Sequence, residues 1–114
     1  MVARPTSIQT SAAAAIPQWN AGIGGTPLGY EQITSTNLAS AHRLNVPSGA
    51  TLAIIDIEGS AAIVRWRDDG VAPTATTGMP FAVGDPPLTY SAAITVIQFI
   101  TSAGTPTLNV AYYG

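Results

Sequence analysis

The chain has 114 residues, a length that favours one domain with a single hydrophobic core. Hydrophobic residues make up 46% of it and charged residues only 9%, which argues against disorder driven by charge. A net charge of −2 without a large cluster of cations argues against a nucleic-acid partner, and the absence of cysteine excludes disulfides and thiolate metal sites.

Residues 1–30 are interpreted as an extended N-terminal arm. They are rich in Ala, Gly, Pro, Thr and Ser and show no sustained helical or strand periodicity. The longest apolar run in the arm, residues 12–16, is too short for a signal peptide or a membrane span, so we expect no membrane partner. Two alternatives stay open, an arm that is ordered when something holds it and a disordered terminus. Its candidate contact residues are the large apolar side chains Ile16, Trp19, Ile23, Leu28 and Tyr30.

Residues 31–114 are predicted to form an all-β domain. Short runs rich in β-branched and aromatic residues alternate there with Gly, Pro, Asn and Asp, a pattern typical of antiparallel sandwiches and barrels. Nine prolines in the chain oppose long helices. The predicted strands cover residues 33–39, 42–46, 51–58, 61–67, 80–83, 88–90, 94–101 and 107–113.

A first hairpin is predicted at Gly59-Ser60, which has the composition of a two-residue turn. This turn would make Asp56 face Ile63 and would place Arg65 diagonally beside Asp56 on the outer face. The opposite face would carry only apolar side chains and is therefore predicted to face the core: Ala53, Ile55, Ile57, Ala62, Val64 and Trp66.

A second hairpin is predicted at residues 102–105, between strands 94–101 and 107–113. Its core face would carry Ile97, Phe99, Leu108, Val110 and Tyr112. The other face is too apolar for contact with water alone, so we predict that a second sheet layer or a neighbouring subunit covers it. The residues of that face are Ile94, Val96, Gln98, Ile100, Asn109, Ala111 and Tyr113.

The chain offers no usual set of catalytic or metal-binding residues. His42 is the only histidine, and no Gly-x-Ser-x-Gly motif is present, so a serine nucleophile with a histidine base is not expected. Asp68, Asp69 and Asp85 match no calcium-loop spacing and are interpreted as turn residues. We therefore predict a protein that is not an enzyme and that holds no cofactor or metal.

Aromatic side chains raise one alternative, a surface on which a sugar could stack. The aromatic residues considered are Trp19, Tyr30, Trp66, Tyr90, Tyr112 and Tyr113. Because the alternation places Trp66 in the core, core packing or subunit contact is favoured for this group.

Residues 64–80, with the sequence VRWRDDGVAPTATTGMP, resemble a segment of small structural proteins encoded in phage and prophage head regions. Residues 97–100 and 108–113 are similar to that group as well. The likeness covers the chain from about Leu52 to the C-terminus, whereas the arm matches nothing in the group.

The resemblance implies a jelly-roll-like β-sandwich and the function of a capsid decoration (cement) protein. Such proteins bind the outer surface of the completed head shell, often as trimers, and clamp neighbouring subunits of the major capsid protein. We therefore expect a homotrimer on the outside of the virion capsid, with residues 94–113 near the contact. A tail or fibre-attachment protein, with or without a glycan-binding surface, is the alternative left open.

Overall fold

A computed structural model describes residues 25–114 of the chain. This part of the chain contains β-strands and one short 3-10 helix, and no helix within it is long and apolar enough to span a bilayer. The strands are β1 (Pro27–Ile33), β2 (His42–Arg43), β3 (Leu52–Glu58), β4 (Ile63–Arg67), β5 (Met79–Ala82), β6 (Leu88–Tyr90), β7 (Gln98–Ala103) and β8 (Thr107–Tyr113), and the 3-10 helix is Asn37–Ala39.

The strands form two four-stranded antiparallel sheets. Sheet A has the order β1-β8-β3-β6, and sheet B has the order β2-β7-β4-β5. Buried side chains from both sheets belong to one hydrophobic cluster, so each sheet has an inner face toward this cluster and an outer face away from it. The prediction of an antiparallel all-β domain is confirmed for the described residues.

Three predicted strands differ from the observed elements by more than two residues. The predicted strand at residues 33–39 is wrong, because β1 ends at Ile33 and the 3-10 helix that follows buries Leu38. Of residues 42–46, only the first two are in a strand. Of residues 94–101, strand structure begins at Gln98, because the Val96 and Ile97 amides donate to the Ala93 carbonyl and form a turn.

Both predicted hairpins are wrong, because each turn carries the chain from one sheet to the other. β3 pairs with β6 and β8, whereas β4 pairs with β5 and β7. The two crossing turns pack against each other: a Cβ at Gly59 would lie 2.7 Å from the Thr105 carbonyl oxygen, and one at Gly104 would lie 2.7 Å from the Ser60 carbonyl oxygen. Glycine is required at both positions because two turns approach each other closely. Glycine is also the usual residue of a tight hairpin turn, so the two positions resembled hairpin signals in the sequence.

The predicted core faces are confirmed, although their strands have different partners. Every residue assigned to the core in the two predicted hairpins is buried except Trp66, which is half-buried and packs against the cluster. Asp56 lies opposite Asn109 and not beside Arg65, so the predicted Asp56–Arg65 pair is wrong. Alternation along a strand determines which side chains point inward, but not which strand lies beside it.

Strand β1 extends sheet A into the segment that was predicted as an arm. Pro27 pairs with Tyr113 and Tyr30 pairs with Ala111, so residues 27–30 belong to the sheet. Two backbone hydrogen bonds between Thr26 and Gly114, of 2.7 and 3.0 Å, continue this pairing. Residues 1–24 lie outside the described part of the chain.

Candidate functional site

The outer face of sheet A carries an apolar patch near one end of its strands. The register places Leu52 beside Tyr113 and Ile54 beside Ala111, with Tyr30 on the other side of Ala111. We call these five residues, Tyr30, Leu52, Ile54, Ala111 and Tyr113, the apolar patch. Tyr30 is exposed, and the other four residues of the patch are half-buried.

Tyr30 is the most exposed member of the apolar patch. Its side chain is 64% exposed, and its hydroxyl donates a hydrogen bond of 2.5 Å to Asn109 Oδ1. The bond orients an exposed aromatic ring, which reduces the entropy that a partner would have to remove. Exposed, oriented tyrosines are frequent anchors of protein contacts.

A row of polar side chains borders the patch across β1, β8 and β3. Gln32 Nε2 donates to Asn109 Oδ1 at 3.0 Å, and Asn109 Nδ2 donates to Glu58 Oε2 at 2.9 Å. Asp56 lies opposite Asn109 and is exposed. Among the described residues this outer face carries carboxylates and no cation, so its polar half is acidic.

The edge strand β1 is attached to the molecule on its inner side as well. Glu31 accepts hydrogen bonds from the Tyr112 hydroxyl and, at 2.8 Å, from the Asn45 amide. Burial, followed by the hydrogen bond to Glu31, raises the pKa of Tyr112, so its hydroxyl remains a donor at neutral pH. These bonds hold β1, and with it the exposed ring of Tyr30, in place.

The outer face of sheet B is basic. Arg43 and Arg67 lie on either side of Gln98, and Arg65 lies beside Ile100. Arg65 Nη1 donates to the Gly78 carbonyl at 2.9 Å, which ties the loop at residues 68–78 to the sheet. On this face, Arg65 therefore binds another segment of the same chain.

A cleft of about 260 Å³ opens where β4 ends and β5 begins. The Trp66 ring packs edge-to-face on Tyr90 with 6.1 Å between centroids, and the Tyr90 hydroxyl donates to Asp68 Oδ2 at 2.5 Å. Burial, followed by the bond to Asp68, raises the pKa of Tyr90. The lining residues are Trp66, Arg67, Asp68, Asp69, Thr77, Gly78 and Met79.

Two charged residues at the rim of the cleft form an ion pair. Arg67 Nη2 lies 2.5 Å from Asp69 Oδ2, and Arg67 Nε donates to Asp69 Oδ1 at 3.1 Å. The hydrogen bond from Arg67 lowers the pKa of Asp69, and the same bond raises the pKa of Arg67. Both groups are therefore charged over the whole neutral range.

Sequence patterns do not predict this cleft. They indicate a core position for Trp66 and a turn for the two aspartates, although four of the lining residues are consecutive. The signal that was available is the run of charged residues directly after an aromatic residue at a strand end. The facing wall, Thr77 to Met79, lies next to these residues only because the intervening loop folds back, and no sequence pattern indicated this contact.

The structure divides the predicted contact residues among several locations. Tyr30, Asn109 and Tyr113 lie on the outer face of sheet A, and Leu28 lies in a bulge at the start of β1. Gln98 and Ile100 lie on the outer face of sheet B. Ile94 is buried in the core at 5% exposure, which corrects its assignment to a contact face, and Val96 is half-buried in a turn. Ile16, Trp19 and Ile23 lie outside the described residues.

The aromatic residues considered for a sugar surface do not share one face. Tyr90 and Tyr112 are buried, and Trp66 belongs to sheet B whereas Tyr30 and Tyr113 belong to sheet A. His42 is half-buried next to Arg43 in the short strand β2. Within residues 25–114, no three His, Cys, Asp or Glu side chains come close enough together to hold a metal ion.

Comparisons of the chain with protein-family models, with curated proteins and with solved structures find no match.

Proposed function

We propose that this chain is a phage capsid decoration (cement) protein that binds the outer surface of the head shell. In this role it clamps neighbouring subunits of the major capsid protein and performs no catalysis. The resemblance of residues 64–80 to phage head-region proteins supports the phage assignment. Two antiparallel sheets around one buried cluster are compatible with the jelly-roll-like sandwich that this proposal includes.

The single observation that carries the proposed contact is the apolar patch with its oriented Tyr30. Contact surfaces between proteins are enriched in aromatic residues and depleted of charged ones at their centre. The patch has this composition, and the carboxylates of Asp56 and Glu58 lie to one side of it. We expect the shell surface opposite to be apolar with basic groups at its rim, because like charges across a contact are unfavourable.

The proposal also includes a homotrimer. Gln98 and Ile100, on the outer face of sheet B, are then available for contact between copies while sheet A faces the shell. Residues 1–24, with the anchors Ile16, Trp19 and Ile23, would reach a neighbouring subunit. Many weak contacts repeated over a symmetric shell add up through multivalency.

A binding assay with tail-less head shells that lack this protein tests the proposal. We expect saturable binding at a fixed ratio to the shell subunit, better survival of the shells on heating, and a trimer mass by light scattering. Tyr30→Ala should weaken binding by about tenfold or more, as loss of a central aromatic anchor usually does. Val83→Ala, at an exposed valine in the turn after β5, is the matched control and should bind normally.

Two results would contradict the proposal in different ways. If shells bind none of the protein while intact tails bind it, a tail or fibre-attachment role replaces the capsid role. If shells bind the wild type and Tyr30→Ala equally well, the apolar patch is not the contact, and the outer face of sheet B becomes the next surface to mutate.

A further inference from the structure

We propose that the cleft between the end of β4 and the start of β5 is a binding site for a single neutral sugar ring. This site goes beyond the proposed function. It lies on the sheet B side of the molecule, away from the apolar patch, so shell binding and sugar binding can succeed or fail independently.

The apolar lining of the cleft suits the hydrogen-bearing face of a sugar ring. Trp66 is half-buried, with its ring supported edge-on by Tyr90, and the Met79 side chain is 57% exposed. Small-ligand sites combine such apolar walls with a few polar groups that set orientation. The volume of about 260 Å³ is slightly below the roughly 300–1,000 Å³ of sites for drug-sized ligands, which favours one ring over a longer chain.

The polar groups of the cleft are suited to neighbouring hydroxyls. Asp68 accepts the Tyr90 hydroxyl through Oδ2, and its Oδ1 can accept from a ligand hydroxyl. The guanidinium of Arg67 and the carboxylate of Asp69 lie side by side at the rim, where one can donate to a ligand oxygen and the other can accept.

The charges of the cleft do not favour anionic ligands. Arg67 and Asp69 form an ion pair, and the charge of Asp68 is balanced by Arg65, which binds the Gly78 carbonyl. The cleft therefore offers no excess of positive charge to a phosphorylated or carboxylated ligand. A metal ion is disfavoured too, since no three candidate ligands come together among the described residues.

The loop that forms the facing wall is held in place before any ligand binds. Pro73 is buried, and Thr74 Oγ1 accepts hydrogen bonds from the Thr76 and Thr77 amides at 3.3 and 3.0 Å. Arg65 holds the Gly78 carbonyl, as described above. A site whose walls are already ordered requires little ordering on binding, which favours measurable affinity for a small ligand.

Nuclear magnetic resonance of the full-length chain, labelled with ¹⁵N, tests this site. The two indole N–H signals, of Trp19 and Trp66, are assigned with a Trp66→Phe variant. The probes are the methyl glycosides of glucose, galactose, mannose and N-acetylglucosamine, with glucuronic acid as the anionic comparison and N-acetyl-leucine methylamide as a mimic of an aliphatic side chain. We expect at least one neutral glycoside to shift the Trp66 signal saturably at millimolar concentrations, while the backbone amide signals of the apolar patch stay unchanged.

Matched variants then assign the site. Asp68→Asn should weaken binding about tenfold, because it replaces a charged acceptor while its amide oxygen can still accept the Tyr90 hydroxyl. Asp85→Asn is the control: Asp85 accepts the Ala82 amide in a turn that does not line the cleft, and it should bind as the wild type does. Met79→Ala, at an exposed position, should weaken binding several-fold without affecting folding.

Three outcomes would overturn the assignment. One is the absence of any Trp66 shift with all four neutral glycosides at 100 mM. Another is binding that Asp68→Asn and Met79→Ala leave unchanged. A shift with N-acetyl-leucine methylamide and with none of the glycosides would instead assign the cleft to a side chain of a protein partner.

Discussion

The outer faces of the two sheets differ in charge and in how their side chains are used. Sheet A presents the apolar patch beside Asp56 and Glu58, whereas sheet B presents Arg43, Arg65 and Arg67. All arginines in the described part of the chain therefore lie on one side of the molecule. The carboxylates of the described residues are not divided in this way, since Asp56 and Glu58 lie on sheet A and Asp68 and Asp69 lie directly after β4 of sheet B.

The difference indicates a division of roles between the faces. On sheet B, Arg65 and Ser102 bind backbone carbonyls of the loop at residues 68–78, so this face stabilises the chain's own cleft. On sheet A, the polar side chains bind one another, and the oriented ring of Tyr30 remains exposed. On sheet B these polar side chains thus bind the chain's own loop and leave Gln98 and Ile100 for a partner, whereas sheet A leaves the exposed ring of Tyr30.

The largest expected effect tests whether both sheets depend on one core. Phe99→Ala on β7 and Leu108→Ala on β8 should each lower the free energy of unfolding by about 3–5 kcal/mol, because both side chains are fully buried. Urea titrations followed by tryptophan fluorescence and by circular dichroism should give coincident single transitions. If either variant unfolds one sheet before the other, the two sheets are separate folding units and do not share one core.

A smaller effect is expected where sheet B holds the cleft loop. Gly78 has φ +138°, and a Cβ there would lie 3.1 Å from Arg65 Cβ, so Gly78→Ala should cost about 2–3 kcal/mol. Gly70 has φ +84° with no atom within 4 Å of a Cβ, so Gly70→Ala should cost only about 1 kcal/mol. Thermal and chemical denaturation measure both. Equal costs would show that the loop is not held closely against Arg65.

Alkaline pH should act on sheet A through Tyr112. The pKa of Tyr112 is raised in the folded state, so the neutral phenol is favoured there. The contribution of this group to stability is therefore constant below the ordinary tyrosine pKa of about 10. Above that pH, the free energy of unfolding should fall by at most about 1.4 kcal/mol per pH unit for this group. Tyr112→Phe should flatten the decline between pH 10 and 11. A decline that the substitution leaves unchanged would assign it to other groups, of which Tyr90 is the first to test.

The smallest effect distinguishes two arginines on the same face. Arg65→Ala should cost about 1–2 kcal/mol, since its hydrogen bond to the Gly78 carbonyl is partly buried. Arg67→Ala should leave the melting temperature within error, because its ion pair with Asp69 is exposed to solvent. The reverse order would mean that the rim ion pair, and not Arg65, supports the loop.

The inward-facing residues could be predicted from the sequence, whereas the neighbours of each strand could not. Ala53, Ile55, Val64 and Phe99 were correctly assigned to the core because alternation is a property of one strand. The partner of β3 was predicted wrongly because Gly59 was interpreted as a hairpin glycine. In the structure, the close approach of the distant Thr105 carbonyl requires a glycine there. A glycine in a hairpin turn and a glycine at a contact between two turns look the same in a sequence.

The candidate surface was predictable only in part for the same reason. Tyr30 and Asn109 were both named as contact residues, but they were assigned to separate segments, an arm and a hairpin. Their hydrogen bond spans 79 positions of the chain and exists because β1 pairs with β8. The cleft could not be predicted for a similar reason, since its two walls come together only when β5 pairs with β4.

The amino-acid sequence by itself determined that the described part of the chain is all-β, and it determined which side of most strands faces the core. The tertiary structure decided that β3 and β4 lie in different sheets, as do β7 and β8, that the predicted contact face is divided between the sheets, and that Ile94 is buried. The physical reason is that side-chain alternation follows from the local geometry of one strand. Strand pairing, in contrast, is selected by the packing of the whole core, to which residues far apart in the chain contribute together.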